Sequence, residues 1–514
     1  MATLIKGATI LTMARNGGDV PFTGDLLVEG DKIAAIGPTV AAPPGATIID
    51  GRNRLVMPGL INAHLHTGET FFKGRYDNLP LELWMLYAYP ILRGTPISDR
   101  LLYLRCTLAA IESLKNGVTT IVDDFFDPPS PNLDRLGVVF RAYDDIGIRA
   151  NVSSNVMDRK VLDTMPFLRE LVPADLQTEA DATPIAIDAY MEFCEEVFGS
   201  SLHNRSGRLR YMVAPSAPQR CTAEMMIACN EMAMRHGVPL HTHILETKTQ
   251  QVTGPEFYGK TLIRYMHDIG VLNRGVTIAH SIWVTDEDME LMGGAGVSIA
   301  NNVISNQKLG AGVAPVRRLL DAGVNVALGT DGLCSNDTAR MFDVMHAAGL
   351  IHSIAGPDYT KWLTATEVLK MATLDGARSA LLDDHTGSLE VGKRADLIIL
   401  KMTGLNFAPL NDVRNHLVYC ENGQSVETVM VNGAVVVQDH KLLTLDEDAI
   451  LEEVRETVPA YLAEHARWET VNARFIPYFA EMHRRATIRD VGINRYQGDM
   501  PMWPGQNPPA IAAE

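Results

Sequence analysis

Short runs of apolar residues alternate with amphipathic stretches between Pro58 and about Leu382. The apolar runs are GVTTIVDDF, IGIRANVSSNV, LRYMVAPSA, VPLHTHILE, VTIAHS, GVSIANN and NVALGTDG. Strands separated by helix-length segments are typical of repeated βα units and a parallel sheet. About eight such strands predict an α/β fold with a closed (β/α)8 TIM barrel, in which catalytic groups lie at the carboxyl ends of the strands.

The two ends of the chain show a different pattern. Residues 1–57 contain β-rich runs broken by Gly, Pro and Asn, and residues 383–445 contain ADLIILKM, SVETVMVNGAVVVQ and HKLLTL. We expect these ends to pair as one small β-sandwich beside a catalytic barrel of residues 58–382. Residues 446–514 are predicted to form a C-terminal helical extension, which caps the barrel or braces a neighbouring subunit, and a final proline-rich arm.

Composition and charge narrow the class of protein. The 514 residues are 46% hydrophobic and 21% charged, which is ordinary for a globular protein. A formal net charge of -17 argues against nucleic acid as a partner, because phosphate recognition needs clustered Lys and Arg. No apolar run approaches about 18 residues and the N-terminus lacks the features of a signal peptide, so we expect a cytoplasmic protein without a membrane partner.

The six cysteines are scattered and form no CxxC pair. Any metal is therefore expected to be held by imidazole and carboxylate groups. The apolar run MPGLINAHLH supplies two such groups, because it ends in His64 and His66. Alternate residues of a strand point to one face, so both imidazoles are expected at the mouth of the barrel. On its own an H-x-H pair is weak evidence, since such pairs also arise by chance.

Three further strand ends carry polar side chains. VPLHTHILE ends in His243 and Glu246, VTIAHS in His280, and NVALGTDG in Asp331. Taken singly, a strand-end histidine is more often an ordinary polar terminus, and a TDG sequence is more often a turn. Four strand ends that each deliver a metal ligand or a proton-transfer group favour an active site. His241 lies one pleat deeper than His243 and is expected to support the site through hydrogen bonds.

In this order, PGLINAHLH, HTHILE, AHS and LGTDG resemble the motif set of the amidohydrolase superfamily. The similarity is greatest to the branch that contains cytosine, guanine, adenosine-type and pterin deaminases and the triazine hydrolases. GVTT, SNQKLGAGVAPV and TGSLEVGKRADLIIL extend it over nearly the whole chain. The residues that match the family's metal ligands are His64, His66, His243 and Asp331, and those that match its catalytic groups are Glu246, His280 and Asp331.

The resemblance implies one divalent metal ion, with zinc expected and iron(II) as the alternative. Such an ion lowers the pKa of a bound water from about 15.7 to about 7. Asp331 and His280 would then take up the proton of the water, and Glu246 would protonate a ring nitrogen. LRYMVAPSAPQ offers no Lys or Glu to bridge a second ion, which favours a single metal. Asp123 and Asp124 could be extra ligands, but a hydrogen-bonded strand end is the preferred interpretation.

Candidate substrate contacts follow from position. Aromatic residues usually pack in cores and a glutamine can cap a helix, so each candidate also has a structural interpretation. Many relatives carry His at the position of Asn301, where an amide changes both charge and reach. Thr67, Glu69 and Lys73 also lie near the predicted opening, as do Leu333 and Cys334. The candidate substrate-binding residues are Trp84, Gln219, Trp283, Asn301 and Asn306.

The leading hypothesis is hydrolytic deamination of a purine, pterin, pyrimidine or triazine that carries an amino group. A second hypothesis is dechlorination of a triazine, or cleavage of an amide, urea or carbamate, at the same site, because a shared fold does not fix the bond attacked. A third is a noncatalytic interaction protein, which should have lost some of the expected site residues. The expected partners are a small heterocyclic substrate and further copies of the chain, in a dimer or tetramer.

Overall fold

Five strands open the chain in the computed structural model, which describes residues 2–88, 92, 94–127, 131–181 and 184–497. The proline-rich arm expected at residues 498–514 lies outside the described residues. The first strands are β1 (Ala2–Ile10), β2 (Phe22–Glu29), β3 (Lys32–Gly37), β4 (Thr47–Asp50) and β5 (Arg54–Pro58).

The middle of the chain forms eight parallel strands in two hydrogen-bonded sets of four. The amide of His241 donates to the carbonyl of Val213 (2.9 Å) at one seam, and the amide of Asp331 donates to the carbonyl of His64 (2.9 Å) at the other. The predicted (β/α)8 barrel is therefore confirmed. Its strands are β6 (Leu60–Leu65), β7 (Val118–Asp123), β8 (Arg149–Val152), β9 (Leu209–Tyr211), β10 (Leu240–Ile244), β11 (Val276–His280), β12 (Ser298–Asn301) and β13 (Asn325–Leu328).

Helices connect the barrel strands, and their ends follow capping rules. Thr285 and Asp288 form a capping box at one start, and Gly296 takes a left-handed conformation at the end of the same helix. The helices are α1 (Leu81–Trp84), α2 (Asp99–Lys115), α3 (Leu133–Ile146), α4 (Leu168–Leu171), α5 (Ala174–Ala180), α6 (Ile187–Gly199), α7 (Ala223–His236), α8 (Lys248–Tyr258), α9 (Leu262–Asp268), α10 (Asp286–Ala295), α11 (Val303–Lys308), α12 (Val316–Asp321), α13 (Met341–Ile351), α14 (Ala365–Met371) and α15 (Leu374–Ser379).

The chain then returns to the sheet of its N-terminal strands. The returning elements are β14 (Leu397–Lys401), α16 (Val413–Tyr419), β15 (Val426–Val431), β16 (Ala434–Gln438) and β17 (Lys441–Leu442). All nine strands join in the order β17-β16-β15-β14-β5-β1-β2-β3, with β4 paired to β1, so both chain ends build one β domain as predicted. Arg149 of the barrel donates to both carboxylate oxygens of Asp396, at 2.6 and 3.0 Å, and this buried ion pair joins the two domains.

A helical extension follows the β domain, also as predicted. It comprises α17 (Glu447–Asn472) and α18 (Ile476–Thr487), and the described chain continues to residue 497. The first of these helices packs against α2, and the second packs against α1, α4 and α8. The extension therefore covers part of the barrel. Among the described residues, no helix combines the length and apolar character needed to cross a bilayer.

Candidate metal centre and active site

The two histidines of the H-x-H pair lie at the carboxyl end of β6. His64 is fully buried, and its Nδ1 atom lies 2.8 Å from Nε2 of His241, as the supporting role expected for His241 requires. Nδ1 of His66 donates to the backbone carbonyl of Asp124 at 2.7 Å. These bonds hold both rings in place and leave each Nε2 atom facing the same point.

His243 reaches that point from the end of β10. Its Nδ1 atom donates to the carbonyl of Ser216 at 3.0 Å, and its Nε2 atom lies 3.1 Å from Nε2 of His66. Both Nδ1 atoms donate to carbonyls, so the two rings turn their Nε2 atoms toward each other. Burial acts to lower the pKa of His66, but the nearby carboxylates, Asp331 foremost, raise it to about 9. Two imidazole nitrogens at this distance need a proton or a metal ion between or beside them, and imidazole ligands of metals are commonly held by such bonds to carbonyls.

Asp331 completes the cluster just after β13. Its Oδ1 atom lies 3.4 Å from Nε2 of His64 and 3.7 Å from Nε2 of His66. The amide of Gly332 donates to Oδ1 at 2.7 Å, and the hydroxyl of Ser305 donates to Oδ2 at 2.6 Å. The carboxylate is thus oriented from both sides. Its pKa lies well below the usual range, because nearby imidazoles, His64 foremost, outweigh the effect of burial.

The donor set fits a divalent metal ion. The candidate ligand atoms of His64, His66 and His243 all lie within 4.8 Å of one another. Although it is buried, Nε2 of His64 makes no hydrogen bond, which is costly for a polar atom without a ligand. Burial lowers the pKa of His64 to about 3, so the ring is neutral and able to donate a lone pair. Three imidazoles and a carboxylate suit zinc, iron or related ions.

Two further titratable groups lie beside this cluster. Nε2 of His280, at the end of β11, lies 3.6 Å from Oε1 of Glu246 and 3.8 Å from Oδ2 of Asp331. Nδ1 of His280 donates to Oδ1 of Asn306 at 2.9 Å, which leaves Nε2 facing the carboxylates. Burial raises the pKa of Glu246 to about 7, a value suited to proton transfer near neutral pH.

The cluster opens into a cavity that holds about 370 Å³ of space, part of it open to solvent. Apolar side chains of α1 face charged groups of the strand ends across it. A flat ring with polar edges matches such a lining. The lining residues are His66, Glu69, Leu81, Trp84, Met85, Arg220, His243, Glu246, His280, Leu309 and Asp331.

The five candidate substrate contacts are placed differently. Trp84 lines the cavity, whereas the other four lie outside its lining. Trp283 is fully buried and donates from Nε1 to the carbonyl of Ala311 at 2.7 Å. Asn306 holds His280, while Asn301 and Gln219 are buried nearby in the barrel.

The residues near the predicted opening separate in the same way. Glu69 lines the cavity, where its Oε2 atom accepts a hydrogen bond from the amide of Cys334 at 3.2 Å. Thr67 instead donates to Asp123, and the exposed Lys73 pairs with Glu112. Leu333 and Cys334 are fully buried outside the cavity lining.

Asp123 and Asp124 form a hydrogen-bonded strand end. Asp123 accepts bonds from Thr67 and Tyr143, while Ser153 and Asn155 each donate to Asp124 at 2.7 Å. Four of the lining residues were not predicted from the sequence, although one of them, Arg220, directly follows the candidate Gln219. These four are Leu81, Met85, Arg220 and Leu309.

A (β/α)8 barrel that gathers imidazoles and carboxylates at its strand ends is typical of metal-dependent enzymes. Residues 55–436 match the model of the Amidohydrolase family, and the chain belongs to this family. The chain is 34% identical over 454 residues to a 5'-deoxyadenosine deaminase of Methanosarcina barkeri, an alignment that spans 88% of this chain and 96% of that one.

Two zinc-containing crystal structures are similar to most of this fold. The first is an adenosine deaminase of Xanthomonas campestris with bound zinc, with a TM-score of 0.79, 26% identity, and coverage of 90% of this chain and 98% of that one. The second is an atrazine chlorohydrolase of Arthrobacter aurescens TC1 complexed with zinc, also with a TM-score of 0.79 and 26% identity, covering 88% of this chain and 99% of that one.

Proposed function

We propose that the chain is a metal-dependent aminohydrolase that removes the amino group of an adenine-type heterocycle. The observation that carries this proposal is the meeting of Glu246, His280 and Asp331 in one cavity beside the three-histidine cluster. The similarity to a 5'-deoxyadenosine deaminase and to an adenosine deaminase supports an adenine ring as the substrate's reactive part.

His64, His66, His243 and Asp331 would hold one divalent ion, which we propose to be zinc, with iron(II) as the alternative. The zinc in both similar structures supports this choice. Residues 212–219 after β9 include no Lys or Glu, and the hydrogen bonds of Asp123 and Asp124 occupy their carboxylates, which favours a single ion. When bound, the ion would acidify a water molecule and so supply a nucleophile near neutral pH.

The protein's own groups would move the protons. Asp331 would accept the proton of the attacking water, and His280, 3.8 Å from its Oδ2 atom, would help to orient that water. Burial raises the pKa of Glu246 to about 7, so a substantial share of this carboxyl is protonated near neutral pH and would donate to the ring nitrogen next to the attacked carbon. The C–O bond forms as that nitrogen gains its proton. Asp331 would then pass the proton taken from the water to the amino group, the C–N bond would break to release ammonia, and the remaining hydroxyl proton would return to Glu246.

A second candidate reaction is hydrolytic dechlorination of a triazine. The similarity to an atrazine chlorohydrolase supports it, and the apolar side chains of Leu81, Trp84 and Leu309 would also contact a triazine ring. Cleavage of an amide, urea or carbamate would need the same water activation. We further propose that the enzyme acts in the cytoplasm as a homo-oligomer on a small-molecule substrate.

The test is to incubate the zinc-loaded chain with adenosine, 5'-deoxyadenosine, adenine, guanine, cytosine and atrazine, and to measure ammonia and chloride. We expect ammonia and the corresponding hypoxanthine product from the adenine compounds, and none with Glu246→Gln. Chloride from atrazine without ammonia from any amine would establish the second candidate. Release of neither product by the metal-loaded protein would refute both.

A further inference from the structure

The segment after α18, which we call the C-terminal strap (residues 488–497), reaches the turn that follows His280. Nε of Arg495 donates to the carbonyl of Ile282 at 3.0 Å, and Nη2 donates to the carbonyl of Val284 at 2.6 Å. The carbonyl of Arg495 in turn accepts the amide of Val313 at 2.8 Å. One side chain therefore binds two carbonyls of the turn, while its backbone is fixed to the loop after α11.

That turn has an unfavourable backbone conformation. His280 has a φ of 75° and Ser281 a φ of 52°, in the left-handed region that non-glycine residues seldom occupy. Such residues keep this conformation only where the surrounding structure holds them. On the barrel side, the amides of Ile282 and Trp283 donate to the carbonyl of Leu245 at 2.9 and 3.0 Å. Arg495 supplies the corresponding bonds from the other side.

The strap packs closely at this point. A Cβ atom at Gly312, where φ is 117°, would lie 2.9 Å from the carbonyl oxygen of Arg495, so only glycine allows this approach. The ring of Tyr496 packs edge-on against Trp283, with centroids 5.0 Å apart. Trp283 is fully buried between the strap and the barrel, which accounts for its place outside the cavity lining.

We propose that Arg495 is a positioning residue for His280. By binding the carbonyls of Ile282 and Val284, its guanidinium holds the turn that aims the imidazole at Glu246 and Asp331. The inference rests on the proposed function, because it assigns His280 a part in catalysis. The strap lies beyond residue 436, where the match to the family model ends.

The first test compares Arg495→Met with Arg489→Met in the full-length, zinc-loaded enzyme. Arg489 lies in the same strap, is exposed and pairs with Glu256. We expect Arg495→Met to lower kcat about 10- to 100-fold while KM changes less than about threefold, because the substrate is not touched but the catalytic group is misplaced. Metal content should stay at one ion per chain, and Arg489→Met should match the wild type.

Chemical rescue separates positioning from general damage. We expect added guanidinium to restore part of the kcat of Arg495→Ala but not to raise the activity of the wild type. Arg495→Lys keeps the charge and can donate to one carbonyl, so it should give an intermediate kcat. This variant replaces Arg495→Met and Arg495→Ala in the test if those two do not fold. An unchanged kcat in Arg495→Met, or a loss that guanidinium does not restore in folded protein, would overturn the proposal.

Hydrogen exchange gives a result that does not depend on substrate. We expect Arg495→Met to speed exchange of the amides of residues 281–283, while the strands β6 and β10 keep their protection. If exchange became faster throughout the protein, or did not become faster at residues 281–283, Arg495 would not be the residue that holds this turn. A wild-type enzyme without aminohydrolase activity would refute the proposed function alone, since the exchange result would still decide whether Arg495 holds the turn.

Discussion

Nε2 of His280, the last residue of β11, lies 3.6 Å from Oε1 of Glu246, which follows the neighbouring strand β10. Their contact follows from the barrel, because adjacent parallel strands end side by side. An imidazole whose other nitrogen is already bound therefore faces a carboxyl whose pKa is raised by burial to about 7. Paired titratable groups in different environments are typical of acid and base roles.

The roles of Glu246 and His243 can be separated by mutation. We expect Glu246→Gln to keep its metal and lose about 1,000-fold in kcat, because the amide cannot donate an acidic proton. His243→Ala should lose metal as well as activity, since it removes one of three clustered imidazoles. Metal content measured by atomic emission, together with kcat, checks both. Equal metal loss in the two variants would contradict the assignment.

Asn306 is expected to orient His280. The variant Asn306→Leu removes the acceptor 2.9 Å from Nδ1 of His280, so the ring can turn or change tautomer. We expect kcat to fall about 10- to 100-fold with metal content unchanged. Gln307→Leu is the matched control, because Gln307 is exposed on the same helix. A wild-type kcat in Asn306→Leu would show that the hydrogen bond does not matter for turnover.

The docking of α18 on α1 should depend on pH. Nδ1 of His483 lies 3.0 Å from Oε2 of the buried Glu82, while the hydroxyl of Thr247 donates to Oε1 at 2.7 Å. Burial alone would raise the pKa of Glu82, but these bonds lower it from 4.5 to about 2. For His483 the directions are reversed: burial acts to lower its pKa, but the bond to Glu82 raises it above 6.5.

The sign of the effect follows from these two shifts. The Glu82 contribution is complete above pH 4.5 and is lost as pH falls toward 2, and the His483 contribution is complete below pH 6.5 and is lost above its raised pKa. We expect His483→Leu to cost about 2 kcal/mol of the free energy of unfolding between these limits, and less outside them. Urea unfolding from pH 3 to pH 9 measures this difference. His267 is exposed, so the stability cost of His267→Leu should not be larger at intermediate pH. A cost of His483→Leu that does not vary with pH would contradict the ion pair.

The barrel and the β domain should depend on the Arg149–Asp396 pair. Both side chains are buried, so Asp396→Ala leaves an uncompensated guanidinium. We expect a loss of about 3 kcal/mol in the free energy of unfolding. Little change in kcat is expected, because Arg149 begins β8 and so lies at the end of that strand opposite the strand ends of the site. Asp50→Ala, which breaks the exposed Arg52–Asp50 pair, should leave Tm unchanged. A similar Tm for Asp396→Ala and the wild type would refute this role.

The sequence was sufficient to predict the strand ends of the site. His64 and His66 share a face because strand residues alternate, and His243, His280 and Asp331 each close a strand of the barrel. The pairing of the two chain ends also followed from their common β pattern. Their joining into one continuous sheet with β5 beside β14 depends on non-local hydrogen bonds, which local patterns do not specify.

The walls of the cavity were less predictable. Met85, Arg220 and Leu309 come from helices and loops, whose direction is set by packing rather than by strand geometry. Trp283 was a predicted substrate contact because it lies shortly after His280 in the sequence. In the structure it is fully buried and does not line the cavity. The strap residue Tyr496 covers it instead, and nothing near Trp283 in the sequence indicates that contact.

The pairing of β5 with β14 also has a consequence for synthesis on the ribosome. Met57 lies opposite Ile398, with the complete barrel between them in the sequence. One edge of β5 therefore stays unpaired until the barrel has been translated. An unpaired strand edge can form hydrogen bonds with other chains and so promote aggregation. Chains that stop before residue 397 should aggregate, even when every barrel strand has been made.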